Sequence, residues 1–215
     1  MTGCCARHGQ EELFGERTAA RDAKRFRRRG PDRMARSLAR RASAQGVRGA
    51  TVLEIGGGVG PVLFELLWRG AARGEIVELV PSYERHVREL AVERGLGDRV
   101  DFRTADLVAS PEEGAPADLV VLNKVVCCTP DGVELAGIAA SLARRTLVLS
   151  HPRETWWARA ALGGLNLGLR LAGRRFRIFV HSTRALESAV EAHGLRRTST
   201  ADGPLFRIAA FERPA

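Results

Sequence analysis

Lysine is almost missing from this chain: Lys24 and Lys124 are the only two, so the formal charge of +9 rests on arginine. With the abundance of Ala, Gly and Val, this has the look of a GC-rich codon bias rather than of a surface built to bind polyanions. The one dense basic run includes Arg21, Lys24, Arg25, Arg27, Arg28 and Arg29 and reads as a solvated helical face. No aromatic-rich strand of the RNA-binding kind accompanies it, so nucleic acid is not an expected partner. Long apolar runs are missing too. A membrane span needs roughly 18 or more such residues, and the nearest approach, 160–173, is interrupted by Arg170. The opening MTGCCARHGQEE has no apolar core of the signal-peptide type, so the expected setting is cytoplasmic. There are only four cysteines, in the adjacent pairs Cys4-Cys5 and Cys127-Cys128. They lack the C-x-x-C spacing of zinc sites, and a cytoplasmic setting argues against structural disulfides. Internal repeats and low-complexity linkers are also absent.

What is present is enough apolar material, 45% of 215 residues, for one domain with an arm or lid. Residues 1–48 read as an N-terminal helical arm or cap. Gly30-Pro31 breaks it, Pro31 suits the first turn of a helix over 32–45, and Gly46 ends that helix. From residue 49 strands and helices alternate. Strands are expected over 51–55, 75–80, 99–104, 117–123 and 145–150. Helices are expected over 61–69, 81–94 and 131–144, the last facing inward through Val133, Ile138, Ala139 and Leu142. This spacing implies right-handed βαβ units, hence a parallel sheet with helices on both faces. Residues 151–182 break the rhythm and read as a lid or pocket wall. A helix over 183–193 and two closing strands complete the chain.

The most informative segment is Val52-Leu53-Glu54-Ile55-Gly56-Gly57-Gly58-Val59-Gly60, which joins a strand to a helix. Glycines there let the backbone turn sharply and approach a ligand closely. A dinucleotide G-x-G-x-x-G fails in both registers, because Pro61 and Leu63 stand where the third glycine belongs. No phosphate-loop G-x-x-x-x-G-K-[ST] is present either. The pattern is E-x-G-x-G-x-G, and Glu78 follows Gly58 by about 20 residues, the spacing of a ribose-binding acid. A carboxylate is acceptor-only and can receive two hydroxyl protons at once.

This constellation resembles the class I S-adenosylmethionine-dependent methyltransferases over about residues 50–150. The resemblance implies a Rossmann-like α/β fold with a mostly parallel seven-stranded sheet and an antiparallel C-terminal strand. It implies S-adenosylmethionine as cofactor and S-adenosylhomocysteine as product. Glu54, Gly56, Gly57, Gly58 and Gly60 would pass beneath the methionine part, and Glu78 and Leu79 would meet the ribose. Ala105, Asp106 and Leu107 would lie near the adenine and Asn123 near the methionine end. Tyr83 and His86 would flank the adenosine. The stretch Asn123-Lys124-Val125-Val126-Cys127-Cys128-Thr129-Pro130-Asp131 resembles that of small bacterial methyltransferases and, more distantly, of magnesium-protoporphyrin O-methyltransferases.

The acceptor is expected to be a small molecule, its accepting atom O, S or N. Methyl transfer from a sulfonium is an in-line displacement, so the protein must align the acceptor and exclude water. Lys124, His151 and Arg153 are the candidates for positioning it or acting as a base, with His181 beside them. Trp156 and Trp157 are candidates for a flat wall, and Arg153 or Arg177 for a clamp on an anionic acceptor. Cys4, Cys5, Cys127 and Cys128 form a candidate soft-metal or metalloid set, if the arm folds over the site. The alternatives are a metal-binding or cofactor-sensing protein on this fold and a nucleic-acid methyltransferase. The N-P-P-[YF] signature of base amino-methylation is replaced here by Asn123-Lys124-Val125-Val126. A monomer or homodimer is expected.

Overall fold

The computed structural model describes residues 9–214, so Cys4 and Cys5 lie outside the described residues. The chain opens with α1 (Gln10–Phe14), α2 (Glu16–Arg29) and α3 (Arg33–Ala42). The alternating region follows as β1 (Thr51–Ile55), α4 (Pro61–Trp68), β2 (Arg73–Glu78), α5 (Glu84–Glu93), β3 (Val100–Thr104), β4 (Ala117–Leu122), α6 (Gly132–Leu142) and β5 (Ala143–Pro152). The chain closes with α7 (Trp156–Leu171), α8 (Thr183–Glu191), β6 (Arg196–Asp202) and β7 (Phe206–Glu212).

The seven strands form one sheet in the order β3-β2-β1-β4-β5-β7-β6. Strands β1 to β5 run parallel, and β7 inserts antiparallel between β5 and β6. This is the mostly parallel, Rossmann-like methyltransferase sheet expected from the sequence. Alternate residues of each strand feed opposite faces, as a period of two demands. Leu119, Val121 and Val148 join α2–α5 in one core, while Val120, Leu122, Leu147 and Leu149 join α6 and α8 in the other.

The arm is part of the first core. Ala19, Ala23 and Phe26 of α2 are buried, and the Phe26 ring lies 5.3 Å from Phe64 and 6.2 Å from Trp68. The basic run is the outer face of this helix, where Arg27 bonds to Glu89 and Glu93 of α5.

Three local readings are corrected. Pro31 precedes α3 rather than starting it, because Asp32 caps the helix by accepting from the Ala35 amide at 2.8 Å. The inward stripe of α6 is Leu135, Ala136, Ala139 and Leu142, with Val133 and Ile138 half-buried. Strand β5 runs two residues past Ser150, because β7 continues the ladder through His151↔Arg207 and Pro152↔Phe206.

Candidate functional site

Strand order reverses between β1 and β4, and in a parallel sheet the crevice beyond the carboxyl ends of such strands is where ligands bind. A cavity of about 510 Å³ lies there, within the size range of small-molecule sites. Its floor is the loop Gly56–Val59 with the ends of β1 and β2. Gly56 and Gly58 have φ of 61° and 55°, in the left-handed region that side chains rarely adopt. A Cβ on Gly56 would come within 2.6 Å of the Val125 side chain, so the loop must stay bare to run beside the loop after β4.

Glu78 sits at the edge of this floor. Its Oε2 accepts from the Gly58 amide at 2.9 Å, and its Oε1 accepts from Leu79 and Val80 at 2.8 and 3.2 Å. The carboxylate thus ties the glycine loop to β2. Burial pushes its pKa up, against the pull of these three amides. Leu79, Ala105, Asp106, Leu107 and Asn123 line the same cavity. Asp106 Oδ1 accepts from the Val108 amide at 3.1 Å, which shapes the turn after β3. Tyr83 lines the cavity from the helix after β2, and its hydroxyl faces Asp22 of α2 at 3.4 Å. Burial and the Asp22 and Glu78 carboxylates push the Tyr83 phenol up, so it stays neutral.

The loop after β4 supplies the far wall. Lys124 has a φ of 62°, an unusual value for a residue with a Cβ. Its amide donates to Ser150 Oγ at 2.8 Å, and its carbonyl accepts from the Cys127 and Cys128 thiols at 3.4 and 3.2 Å. Its Nζ lies 3.8 Å from Asp32 and 5.8 Å from the Phe206 ring centroid. Both thiols line the cavity. The contact between the two thiols holds Cys127 below the usual thiol range and pushes Cys128 up. Among the described residues no group of three or more His, Cys, Asp or Glu is placed to hold a metal ion.

Several candidates do not line the cavity. The Glu54 side chain is fully buried beneath the loop, where its carboxylate accepts from the Leu63 and Val62 amides at 2.6 and 3.4 Å. The first turn of a helix carries unpaired N–H groups, so a buried acid there props α4 rather than meeting a ligand. Gly60 is the N-cap of that helix, packed on Ile76. His151 is buried within β5, its ring bonded to the Pro152 carbonyl. Arg153 is held by Gly203 and Asp202 and lies over Trp157. His181 bonds to the Thr129 carbonyl at 3.0 Å, His86 bonds to Glu16, and Arg177 folds back onto backbone carbonyls. Trp156 points into solvent.

In their place stand residues that reading along the chain did not select. Leu13 and Phe14 of the arm, with Phe176, Ile178 and Phe206, form an apolar wall. Asp22, Arg25, Asp32 and Asp131 are charged lining residues, and mixed signs there do not favour an anionic acceptor. Gln10 is buried at the wall, its Nε2 donating to the Cys128 carbonyl at 3.2 Å. Its Oε1 is buried and has no partner among the described residues. The available signal was the scatter of apolar residues, Leu13 and Phe14, in an otherwise polar arm.

A family model described as a methyltransferase domain matches residues 25–200. The chain belongs to the class I S-adenosylmethionine-dependent methyltransferases. No curated relative matches this methyltransferase. Its fold is similar to the magnesium protoporphyrin IX methyltransferase of Synechocystis with bound SAH. That match has 19% identity and a TM-score of 0.65, over 94% of this chain and 84% of that one. It is also similar to an O-methyltransferase family protein from Burkholderia thailandensis, at 23% identity and TM-score 0.72. There it covers 97% of this chain and 64% of that one, so the methyltransferase spans less than two thirds of that protein. A third likeness is to an O-methyltransferase family 2 protein from Planctomyces limnophilus in complex with apigenin. It shows 19% identity and TM-score 0.66, over 93% and 62% of the two chains. None of its described helices is long and apolar enough to cross a membrane.

Proposed function

We propose that this enzyme methylates a small molecule with an apolar or aromatic body, held between the glycine loop and the arm. The observation that carries this reading is the continuity of the cavity. Its floor is the side-chain-free Gly56–Gly58 loop beside Glu78, and its roof is Leu13, Phe14 and Phe176. A bare loop with an acceptor-only carboxylate at its edge fits a cofactor that presents ribose hydroxyls. Glu78 would take those hydroxyls, Asp106 and Leu107 would border the adenine, and the Gly56–Gly58 backbone and Asn123 would hold the methionine end. When bound, S-adenosylmethionine supplies an electrophilic methyl group for in-line displacement.

The chain's own residues do the remaining work. Residues 9–48 and the segment carrying Phe176 and Ile178 act as the cap, which keeps water from the site. Gln10 Oε1 is an acceptor for a hydroxyl or amine N–H of the substrate, because a buried oxygen without a partner gains most from one. Lys124, beside Asp32 at the rim, positions the acceptor's polar end. The cysteine pair braces the loop that carries Lys124, and a metal role for it would need the ligands Cys4 and Cys5.

The test is calorimetric titration of the purified protein with S-adenosylmethionine and S-adenosylhomocysteine, then a methylation screen of phenols, thiols and amines. Saturable binding of both compounds and transfer to an aromatic or apolar acceptor are expected. A folded protein that binds neither compound would overturn the reading.

A further inference from the structure

Helix α7 carries apolar residues on both of its faces, unlike an ordinary surface helix. Among its described residues only Ala158 and Leu162 are buried. Trp156, Ala160, Leu167 and Leu171 recur at helical spacing on the opposite stripe, where an amphipathic helix would carry charge. Trp156 is 81% exposed, Leu171 80% and Leu167 57%. Single exposed apolar residues are ordinary, but an aligned stripe along one helix marks an interaction face.

The charge around the stripe narrows the partner. Between Glu154 and Glu187 the chain has no acid and six arginines. Arg159 and Arg170 border the apolar stripe, and Arg174 and Arg175 follow the helix as exposed residues. Arg170, Arg174 and Arg175 make no ion pair among the described residues, and Arg159 pairs only with Glu154. We propose that this face docks the enzyme on an anionic lipid bilayer. The helix would lie in the interface, its Trp and Leu side chains in the acyl boundary and its arginines at the headgroups. Charge disfavours a second copy of the chain as occupant. A two-fold contact through this face would set arginines against arginines, and the acids beside them, Glu154 and Glu12, are already bonded to Arg159 and to the Arg175 amide. A helix lying in the interface differs from one that spans it, so the absence of a spanning helix among the described residues does not bear on the proposal.

Cosedimentation with phosphatidylcholine vesicles, with and without phosphatidylglycerol, tests this in the absence of S-adenosylmethionine. Failure here is therefore separate from failure of the proposed activity. The wild type should bind the anionic vesicles and much less the neutral ones. Trp156→Ser, Leu167→Ser and Leu171→Ser together keep every charge and should lower partitioning by about tenfold or more. Arg170→Gln, Arg174→Gln and Arg175→Gln together should weaken anionic binding and flatten its salt dependence. In a Trp68→Phe, Trp157→Phe background, Trp156 fluorescence should shift to the blue on vesicles. Three results overturn the proposal. One is a wild type that ignores anionic vesicles. Another is a triple-serine variant that binds as tightly as wild type, which leaves only diffuse charge. The third is a dimer at sedimentation equilibrium that the serine variant breaks while vesicle binding is absent. All the altered residues except Trp157 are exposed helix or loop positions, and a thermal melt checks each variant's fold.

Discussion

Glu78 acts as a strut before any ligand arrives. Three backbone amides converge on its two oxygens, so its position is fixed from both sides of the β2 end. Glu78→Gln keeps one acceptor oxygen but turns an NH2 toward a donor. Calorimetry should show S-adenosylmethionine affinity falling by about tenfold or more. Because burial raises the Glu78 pKa, affinity should also weaken as pH falls, beginning at a higher pH than an ordinary carboxylate would require, while the variant stays flat. The sign follows from the carboxylate being the binding form, which is lost on protonation. Lys124 is the other residue whose geometry is unusual. Its left-handed backbone costs about 1 kcal/mol that glycine would not incur. Lys124→Gly should therefore leave the thermal midpoint unchanged or higher while turnover falls. Unchanged turnover would remove the side chain from any role in positioning the acceptor.

At the scale of elements, α4 is governed by one buried acid. Glu54 caps its first turn from beneath, and burial pushes the carboxyl up to about 8. The folded chain therefore keeps a proton that the unfolded chain releases from about pH 4.5 upward. Stability from this group is present at low pH, falls as pH rises from about 4.5 to about 8, and levels off above that. Urea midpoints of wild type and Glu54→Gln across this range should diverge, with the variant lacking that slope. Equal slopes would mean that the two amides outweigh burial and keep Glu54 ionised. The sequence could place a Glu before the glycines, but not say which way it faced. The α4 amides that claim it become available only once the helix is formed and packed.

Across the whole molecule, the arm and the sheet behave as one body. Phe26 lies against Phe64 and Trp68, and Arg27 reaches Glu89 and Glu93. Phe26→Ala should cost about 3–5 kcal/mol, read from denaturant unfolding. If the arm loosens locally, trypsin should cut first in the arginine-rich α2. Uniform slow cleavage across the chain would instead mean that the arm and sheet open together. The cap and the cavity are products of this closure. Gln10 meets Cys128 across 118 residues of sequence, and Lys124 meets Asp32 across the cavity rim.

Local physics determined much of this protein from the sequence. Alternating apolar periods gave the strands and helices. Glycine's freedom at positive φ marked the loop, and the spacing to Glu78 marked the acid at the next strand's end. These features depend on neighbours within a few residues or on one βαβ unit. The extension of β5 through His151 needed a partner strand more than 50 residues away, so the histidine looked like a pocket residue until β7 claimed it. Arg153 and His181 likewise found backbone and acid partners that only tertiary contacts supply. The walls of the cavity come from segments remote in the chain, and no local pattern marks which side of such a segment faces inward. Tertiary structure alone decided which arm side chains face the cavity, that Glu54 serves the helix, and that α7 leaves Trp156, Leu167 and Leu171 exposed.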